Sequence, residues 1–233
     1  MSENEFVKSV NELGISINDD ILSKLNKYYE LLINWNNKIN LTRITDKKDV
    51  YLKHFYDSLT LIKAIDLNKE LYVCDIGTGA GFPGLVLKIV FPNLKITLVD
   101  ALNKRIEFLK EVIKELKLKD IEVFHERAED YIRNNKDKFD LITCRAVSRL
   151  NIISEICLPG VKINGYFIPM KANIENEIQN TKYLEVLSSK IEKIVTFNLP
   201  YENSIRNLIV IKKLGKIDNK YPRSYDKIIK REL

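Results

Sequence analysis

Val73-Cys74-Asp75-Ile76-Gly77-Thr78-Gly79-Ala80-Gly81-Phe82-Pro83-Gly84 joins a short apolar run, residues 71–74, to an apolar, helix-like run, residues 85–91. A strand, a glycine loop and a helix in that order make a nucleotide-cofactor site. Glycine lets the backbone turn tightly and come within contact distance of a ligand. The acid ahead of the first glycine, Asp75, decides which cofactor that is.

Downstream of the loop, strand-like runs at 71–76, 96–100, 121–124, 139–144 and 166–170 alternate with helix-like segments at 85–91, 104–116, 128–133 and 151–158. Such alternation implies a mainly parallel sheet covered on both faces. A further helix is expected over 174–189, followed by strands at 193–198 and 207–212. Only the turn residues Pro200-Tyr201-Glu202-Asn203 separate those two strands, so they form an antiparallel pair at the sheet edge. Upstream, Ile21, Leu25, Tyr28, Leu32 and Trp35 recur at steps of four and three, one face of a helix over 19–35 that Asn18 or Asp19 caps. Tyr51, Phe55, Leu59, Ile62 and Ile65 mark a second helix over 46–65. The expected organisation is a helical extension over 1–65 packed on a catalytic domain over 66–215, then a basic tail over 216–233.

Two fingerprints overlap in the glycine loop. Gly79-Ala80-Gly81-Phe82-Pro83-Gly84 satisfies the dinucleotide pattern G-x-G-x-x-G. Asp75-Ile76-Gly77-Thr78-Gly79-Ala80-Gly81 satisfies D-x-G-x-G-x-G, the first motif of Rossmann-like S-adenosylmethionine methyltransferases. A dinucleotide rests its pyrophosphate on a helix N-terminus, where backbone N–H groups favour negative charge, and a carboxylate there opposes it. S-adenosylmethionine carries an ammonium and a sulfonium, which suit Asp75. The methyl donor is therefore the better fit. Asp100, ending the second strand, is placed to accept hydrogen bonds from both ribose hydroxyls, a role it would play for either cofactor. Glu129 and Asp130 read on their own as an acidic helix start.

Arg145 follows the fourth strand. Ligands of open α/β sheets bind beyond the carboxyl ends of the strands, so this arginine faces the Asp75 loop and calls for an anion, either the cofactor carboxylate or an RNA phosphate. The Asn or Asp with Pro-Pro-Tyr that amino-methylating enzymes place here is absent. Cys144 raises a thiolate mechanism, but a reactive cysteine needs an accessible, activating environment, no Pro-Cys dipeptide is present, and strand alternation turns it inward.

The chain has 233 residues, 45% hydrophobic and 30% charged, the balance of a soluble globular protein. No apolar run approaches the ~20 residues of a membrane span, and the acidic N-terminus lacks the apolar core of a signal peptide, so a cytoplasmic protein is expected. Cys74, Cys144 and Cys157 show no C-x-x-C spacing, and His54 and His125 complete no metal-ligand pattern. No metal is expected, and both histidines read as structural. The net charge of +6 permits a polyanionic partner. The cations crowd beyond Arg206, and whether that basic arm binds RNA or is merely solvated stays open. No unpartnered apolar stripe argues for an oligomer, so a monomer is expected.

Taken with Asn40-Leu41-Thr42, His54-Phe55-Tyr56-Asp57-Ser58-Leu59, Lys104-Arg105, Arg127-Ala128-Glu129, Arg145-Ala146, Ser148, Met170-Lys171 and Arg206-Asn207-Leu208-Ile209-Val210, the glycine loop resembles the GidB (RsmG) family of bacterial 16S ribosomal RNA guanine-N7 methyltransferases. The resemblance runs from about Trp35 to Lys212, and Phe82-Pro83-Gly84 is its most diagnostic part. It implies an α/β, Rossmann-like class I S-adenosylmethionine-dependent fold with a mostly parallel seven-stranded sheet and an N-terminal helical extension. It implies methylation of guanine N7 in the decoding region of 16S rRNA. Gly77, Phe82, Ala128, Glu129 and Arg145 are implied to line the cofactor pocket, with Asp75, Gly79 and Asp100 beside them. Asn40, Arg127, Arg145, Lys171 and Arg206 are implied in the active-site and RNA-facing region. The tail keeps Tyr221-Pro222-Arg223 but lacks the Pro-rich basic ending that family members often have.

Overall fold

The computed structural model describes residues 1–233 apart from Ala146 and Asn203, so the expectations that fall on those two lie outside the described residues. Seven strands form a single sheet: β1 (Tyr72–Ile76), β2 (Lys95–Asp100), β3 (Ile121–His125), β4 (Phe139–Arg145), β5 (Val161–Lys171), β6 (Ser189–Asn198) and β7 (Ile205–Lys213), in the order β3-β2-β1-β4-β5-β7-β6. β1 to β5 pair in parallel, and β7 runs antiparallel to both β5 and β6. The chain starts at β1, steps outward to β3, then returns to lay β4 on the other side of β1. That reversal opens a crevice at the carboxyl ends of β1 and β4, where a ligand of this fold class sits.

Alternation along β1 splits the apolar core between the two sheet faces: Val73 joins one cluster, Cys74 and Ile76 the other. The first face is covered by α1 (Glu3–Glu12), α2 (Asp19–Asn36), the run α3 (Lys47–Val50) to α4 (Asp57–Leu59), α5 (Gly84–Val90) and α6 (Asn103–Glu115). The second is covered by α7 (Ala128–Arg133), α8 (Leu150–Cys157), α9 (Tyr183–Val186) and α10 (Tyr225–Lys230). The N-terminal helices share one core with the sheet. Tyr28 of α2 stacks on Phe55, Phe82 and Phe108 at centroid distances of 5.5, 5.5 and 6.3 Å, and its hydroxyl donates to the Ala80 carbonyl. The extension thus buttresses the glycine loop.

Several elements depart from the sequence expectation: α10 falls inside the stretch expected only as a basic tail, and β5 begins at Val161, ahead of the strand expected from 166. The helix expected over 174–189 is reduced to α9, and β6 starts already at Ser189. Asparagines are the cause: Asn173 Oδ1 accepts from Glu175 N at 3.0 Å and Asn180 Oδ1 from Lys182 N at 3.3 Å, local turns that compete with a helix. The helix expected over 46–65 is broken into α3, a π-helical stretch (Tyr51–Tyr56), α4 and a 3-10 turn (Thr60–Lys63). α1 was not anticipated, although Ser2 and Glu5 form a reciprocal capping box that the sequence spells out.

Candidate active site

The glycine loop is held from both sides. Gly77 N and Thr78 N donate to the Val99 carbonyl at the end of β2, at 2.9 and 3.1 Å. Gly81 has φ +96°, and a Cβ there would lie 2.7 Å from the Tyr28 hydroxyl; a Cβ on Gly84 would lie 2.9 Å from Asp75 Oδ2. Leucines come closer still, Leu85 Cδ1 to a Cβ on Gly81 and Leu98 Cδ2 to one on Gly84, so both positions favour glycine.

Asp75 is fully buried. Its Oδ2 accepts from Thr78 Oγ1 at 2.7 Å and from Gly84 N at 2.8 Å, tying the two ends of the loop together. Its Oδ1 is buried without a partner among the described residues. The sequence reading aimed this carboxylate at the ligand; the structure gives half of it to the loop's own closure. Asp100 is equally committed: Oδ2 accepts from Gly79 N at 2.9 Å, Oδ1 from Leu102 N at 3.0 Å, and Arg105 Nη1 lies 3.1 Å from Oδ2.

Three cavities adjoin along the carboxyl ends of the strands. One, about 380 Å³, is lined by Gly77, Asp100, Arg127, Ala128, Glu129 and Tyr225 among others. The second, about 410 Å³, lies over the loop and includes Thr42, His54, Gly79, Phe82 and Arg145. The third, about 450 Å³, is walled by the cations Lys53, Arg145, Lys171 and Arg206 and by Asp57. Gly77, Arg105 and Val147 are common to the first two, His54 and Arg145 to the last two, so the cavities form one trough.

Arg145 stands at the centre of the trough. It donates to the Lys53 carbonyl at 2.7 Å and to Asp57 Oδ2 at 3.2 Å, and its guanidinium sits 5.2 Å over the Phe82 ring. Its Nη2 lies 3.0 Å from His54 Nδ1. A guanidinium only donates, so this contact needs Nδ1 bare and the proton on Nε2, 2.9 Å from Thr42 Oγ1; the Lys53 carbonyl, 3.1 Å from Nδ1, is then a close contact and not a hydrogen bond. Asp57, 2% exposed, gives its second oxygen to Arg206 Nε at 3.1 Å. Lys171 is paired with Glu177 at 2.7 Å and donates to the Ser148 carbonyl.

Of the residues expected at the site, Arg145, Lys171 and Arg206 therefore converge on the third cavity, and Gly77, Asp100, Arg127, Ala128 and Glu129 on the first. Arg127 lies apart from Arg145. Asn40 is exposed and lines none of the three cavities; its neighbours Leu41 and Thr42 do. His54, which the sequence reads as structural, lines two of the cavities, and Asp57 carries no sequence signal of its own, although both lie in the stretch that carries the resemblance. Cys144 is buried and burial pushes its thiol far up, so it offers no thiolate.

Two buried groups titrate oppositely. Burial pushes Asp75 up to about 7, against the hydrogen bonds of Thr78 and Gly84 and the charge of Arg145. Burial and then Arg145 push His54 down to about 3. A raised carboxyl costs folding stability progressively as pH rises from about 4 to about 7, whereas a depressed imidazole costs stability as pH falls from about 6.5 to about 3, each on the order of 4 kcal/mol at full extent. In the window they share, pH 4–6.5, the two offset each other. Asp75→Asn removes the first, so its unfolding free energy, followed by urea titration, falls more steeply than that of the wild type as pH drops from about 6.5 to about 4. Parallel profiles would mean Asp75 does not titrate there.

Comparison with known proteins decides the family. The model of the GidB family, rRNA small subunit methyltransferase G, matches residues 21–209. A ribosomal RNA small subunit methyltransferase G from Staphylococcus carnosus is 48% identical over 222 residues, covering 93% of this chain and 92% of its own length. The chain belongs to the GidB family. A second GidB relative, from Bacillus cytotoxicus, is 46% identical over 96% of this chain and 95% of its own. Among solved structures, a SAM-dependent methyltransferase from Aquifex aeolicus superposes with a TM-score of 0.52 at 18% identity, over 77% of this chain and 97% of that one. M. jannaschii TYW2 in complex with AdoMet gives 0.52 at 19% identity, over 64% and 71%. These structures share the fold, and with GidB membership they make the chain an S-adenosylmethionine-dependent methyltransferase, as the glycine loop led one to expect. The first cavity is large enough for a nucleoside and carries the acids Asp100 and Glu129 on its wall, which fits the cofactor; Asp75 is sealed beneath the loop and lines none of the three cavities.

Proposed function

We propose that this protein transfers the methyl group of S-adenosylmethionine to N7 of a guanine in the decoding region of 16S rRNA, working on small ribosomal subunits in the cytoplasm. The observation that carries the reading is the absence of a free base among the described residues around Arg145. His54 is neutral with Nδ1 facing a guanidinium and Nε2 against Thr42, and each oxygen of Asp57 faces an arginine. Such a site suits a nucleophile that has no proton to lose. Guanine N7 is an available lone pair at neutral pH, whereas an exocyclic amine or a pyrimidine carbon needs a base or a thiolate.

When bound, S-adenosylmethionine supplies an electrophilic methyl on a sulfonium. The chain's own part is positioning: holding the nucleophile in line with the methyl–sulfur bond, reacting atoms ~3–3.5 Å apart. In this reading Gly77, Gly79, Asp100, Ala128 and Glu129 hold the nucleoside half of the cofactor, and Asp75 and Phe82 shape the loop beneath the reacting end. The methylated guanine is cationic, so Arg145, Lys171 and Arg206 serve phosphates or the O6 edge and not the N7 face. The target base has to be unstacked to enter. The relatives named for the ribosomal small subunit support the choice of RNA.

The test is tritiated-methyl transfer to small subunits lacking the modification, with the label mapped by chemical cleavage at N7-methylguanine. Label at one guanine N7 is expected. No incorporation, or label at another atom, rejects the proposal.

A further inference from the structure

We infer that Tyr225, delivered by the C-terminal segment, is the wall on which the adenine of the cofactor stacks. The inference rests on the cofactor lying in the cavity that holds Asp100 and Ala128.

The C-terminal segment is docked, not free. Arg223 grips the fully buried Glu155 of α8 with Nε at 2.7 Å and Nη2 at 2.6 Å, and its backbone N reaches the same carboxylate at 3.2 Å. Ile228 is fully buried in the core cluster to which α7 and α8 also contribute. Near the end of the chain, Glu232 accepts from Arg149 and, at 2.8 Å, from Asn151 Nδ2. These anchors flank Tyr225 on both sides in sequence and carry it to the cavity mouth.

What Tyr225 does there is not structural packing. It is 37% exposed, and two of the other exposed large apolar side chains of the protein, Leu102 and Val147, line the same cavity. An apolar rim left open to water marks a ligand surface. Arg127 covers one face of the ring, its guanidinium 5.1 Å from the centroid, while its Nε lies 3.4 Å from Glu129 Oε1. A ring has two faces, and a planar base needs only one. Arg127 is then a positioning residue for the aromatic wall and for Glu129. This assigns the docked tail to the cofactor side of the molecule.

Isothermal titration of the full chain with S-adenosylmethionine, S-adenosylhomocysteine and adenosine tests it. Tyr225→Ala is expected to weaken all three by about tenfold, the scale of one base–aromatic stack, with an unchanged thermal midpoint, and Tyr225→Phe to bind as wild type does. Equal loss for adenosine places the contact on the base and not on the methionine. Affinities for Tyr225→Ala within twofold of wild type overturn the inference. Failure of the wild-type chain to bind S-adenosylmethionine overturns the cofactor site itself, and the inference with it.

Discussion

Arg145→Ala lowers the rate of methyl transfer by at least about a hundredfold while the chain stays folded. The size follows from what one guanidinium does. Arg145 ends β4, directly across the crevice from the glycine loop, and lines both the cavity over that loop and the cation-rich cavity beside it. It engages the Lys53 carbonyl, Asp57 and His54 while lying over Phe82. Among the described residues no other side chain meets both the loop and the proposed guanine pocket with a positive charge. Removing one preorganised charged donor at a reacting centre costs about 10²–10³ in rate. The reaction asks only for positioning, so little else compensates. Arg145→Lys is expected to recover little of the activity, because an ammonium is a point charge and does not reproduce a planar fork. Initial rates of tritiated-methyl transfer, with folding checked by circular dichroism, decide the matter. Activity within threefold of wild type would mean the active site lies elsewhere.

The residues around Arg145 show what a sequence carries and what it hides. The glycine loop was legible because much of its constraint is near in sequence: a Cβ at Gly81 would meet Leu85 and one at Gly84 would meet Leu98 and Asp75. The parallel strands were legible because strands buried on both faces read as continuous apolar runs. Asp57 was hidden because its partners are 88 and 149 residues away; nothing near Asp57 announces two arginines. The break in the helix over 46–65 was hidden for the same reason, since its apolar spacing is compatible with an unbroken helix. The tail's character stays open in the sequence, since nothing near Arg223 announces Glu155, its partner 68 residues away. Asp75 was found at the right position, but a strand end does not show how much of a carboxylate its own loop consumes.

Asp57→Ala is the second large effect, and it acts on both stability and activity. In the folded chain one carboxylate separates two guanidiniums, Oδ2 toward Arg145 and Oδ1 toward Arg206. Without it two like charges face each other in a half-closed pocket. Removing one partner of a buried pair costs about 3–5 kcal/mol, and water reaching both arginines, 17% and 19% exposed, reduces that to roughly 2–3 kcal/mol. For a chain of this length the melting temperature then falls by roughly 4–12 °C. Activity falls by about tenfold or more, because Arg145 keeps the Lys53 carbonyl but loses its anionic anchor. Asp57→Asn retains one acceptor oxygen for two guanidiniums and is expected to fall between wild type and Asp57→Ala. A double-mutant cycle separates organisation from bulk: in an Arg206→Ala background the cost of Asp57→Ala shrinks, since one of the two cations it was separating is already gone. RNA binding moves the other way. Removing an acid from a pocket of four cations strengthens non-specific affinity and steepens its dependence on salt. Tighter RNA binding together with slower methyl transfer would therefore show that Asp57 keeps the arginines positioned for one base, and full activity with wild-type stability would show that the arginines need no such anchor.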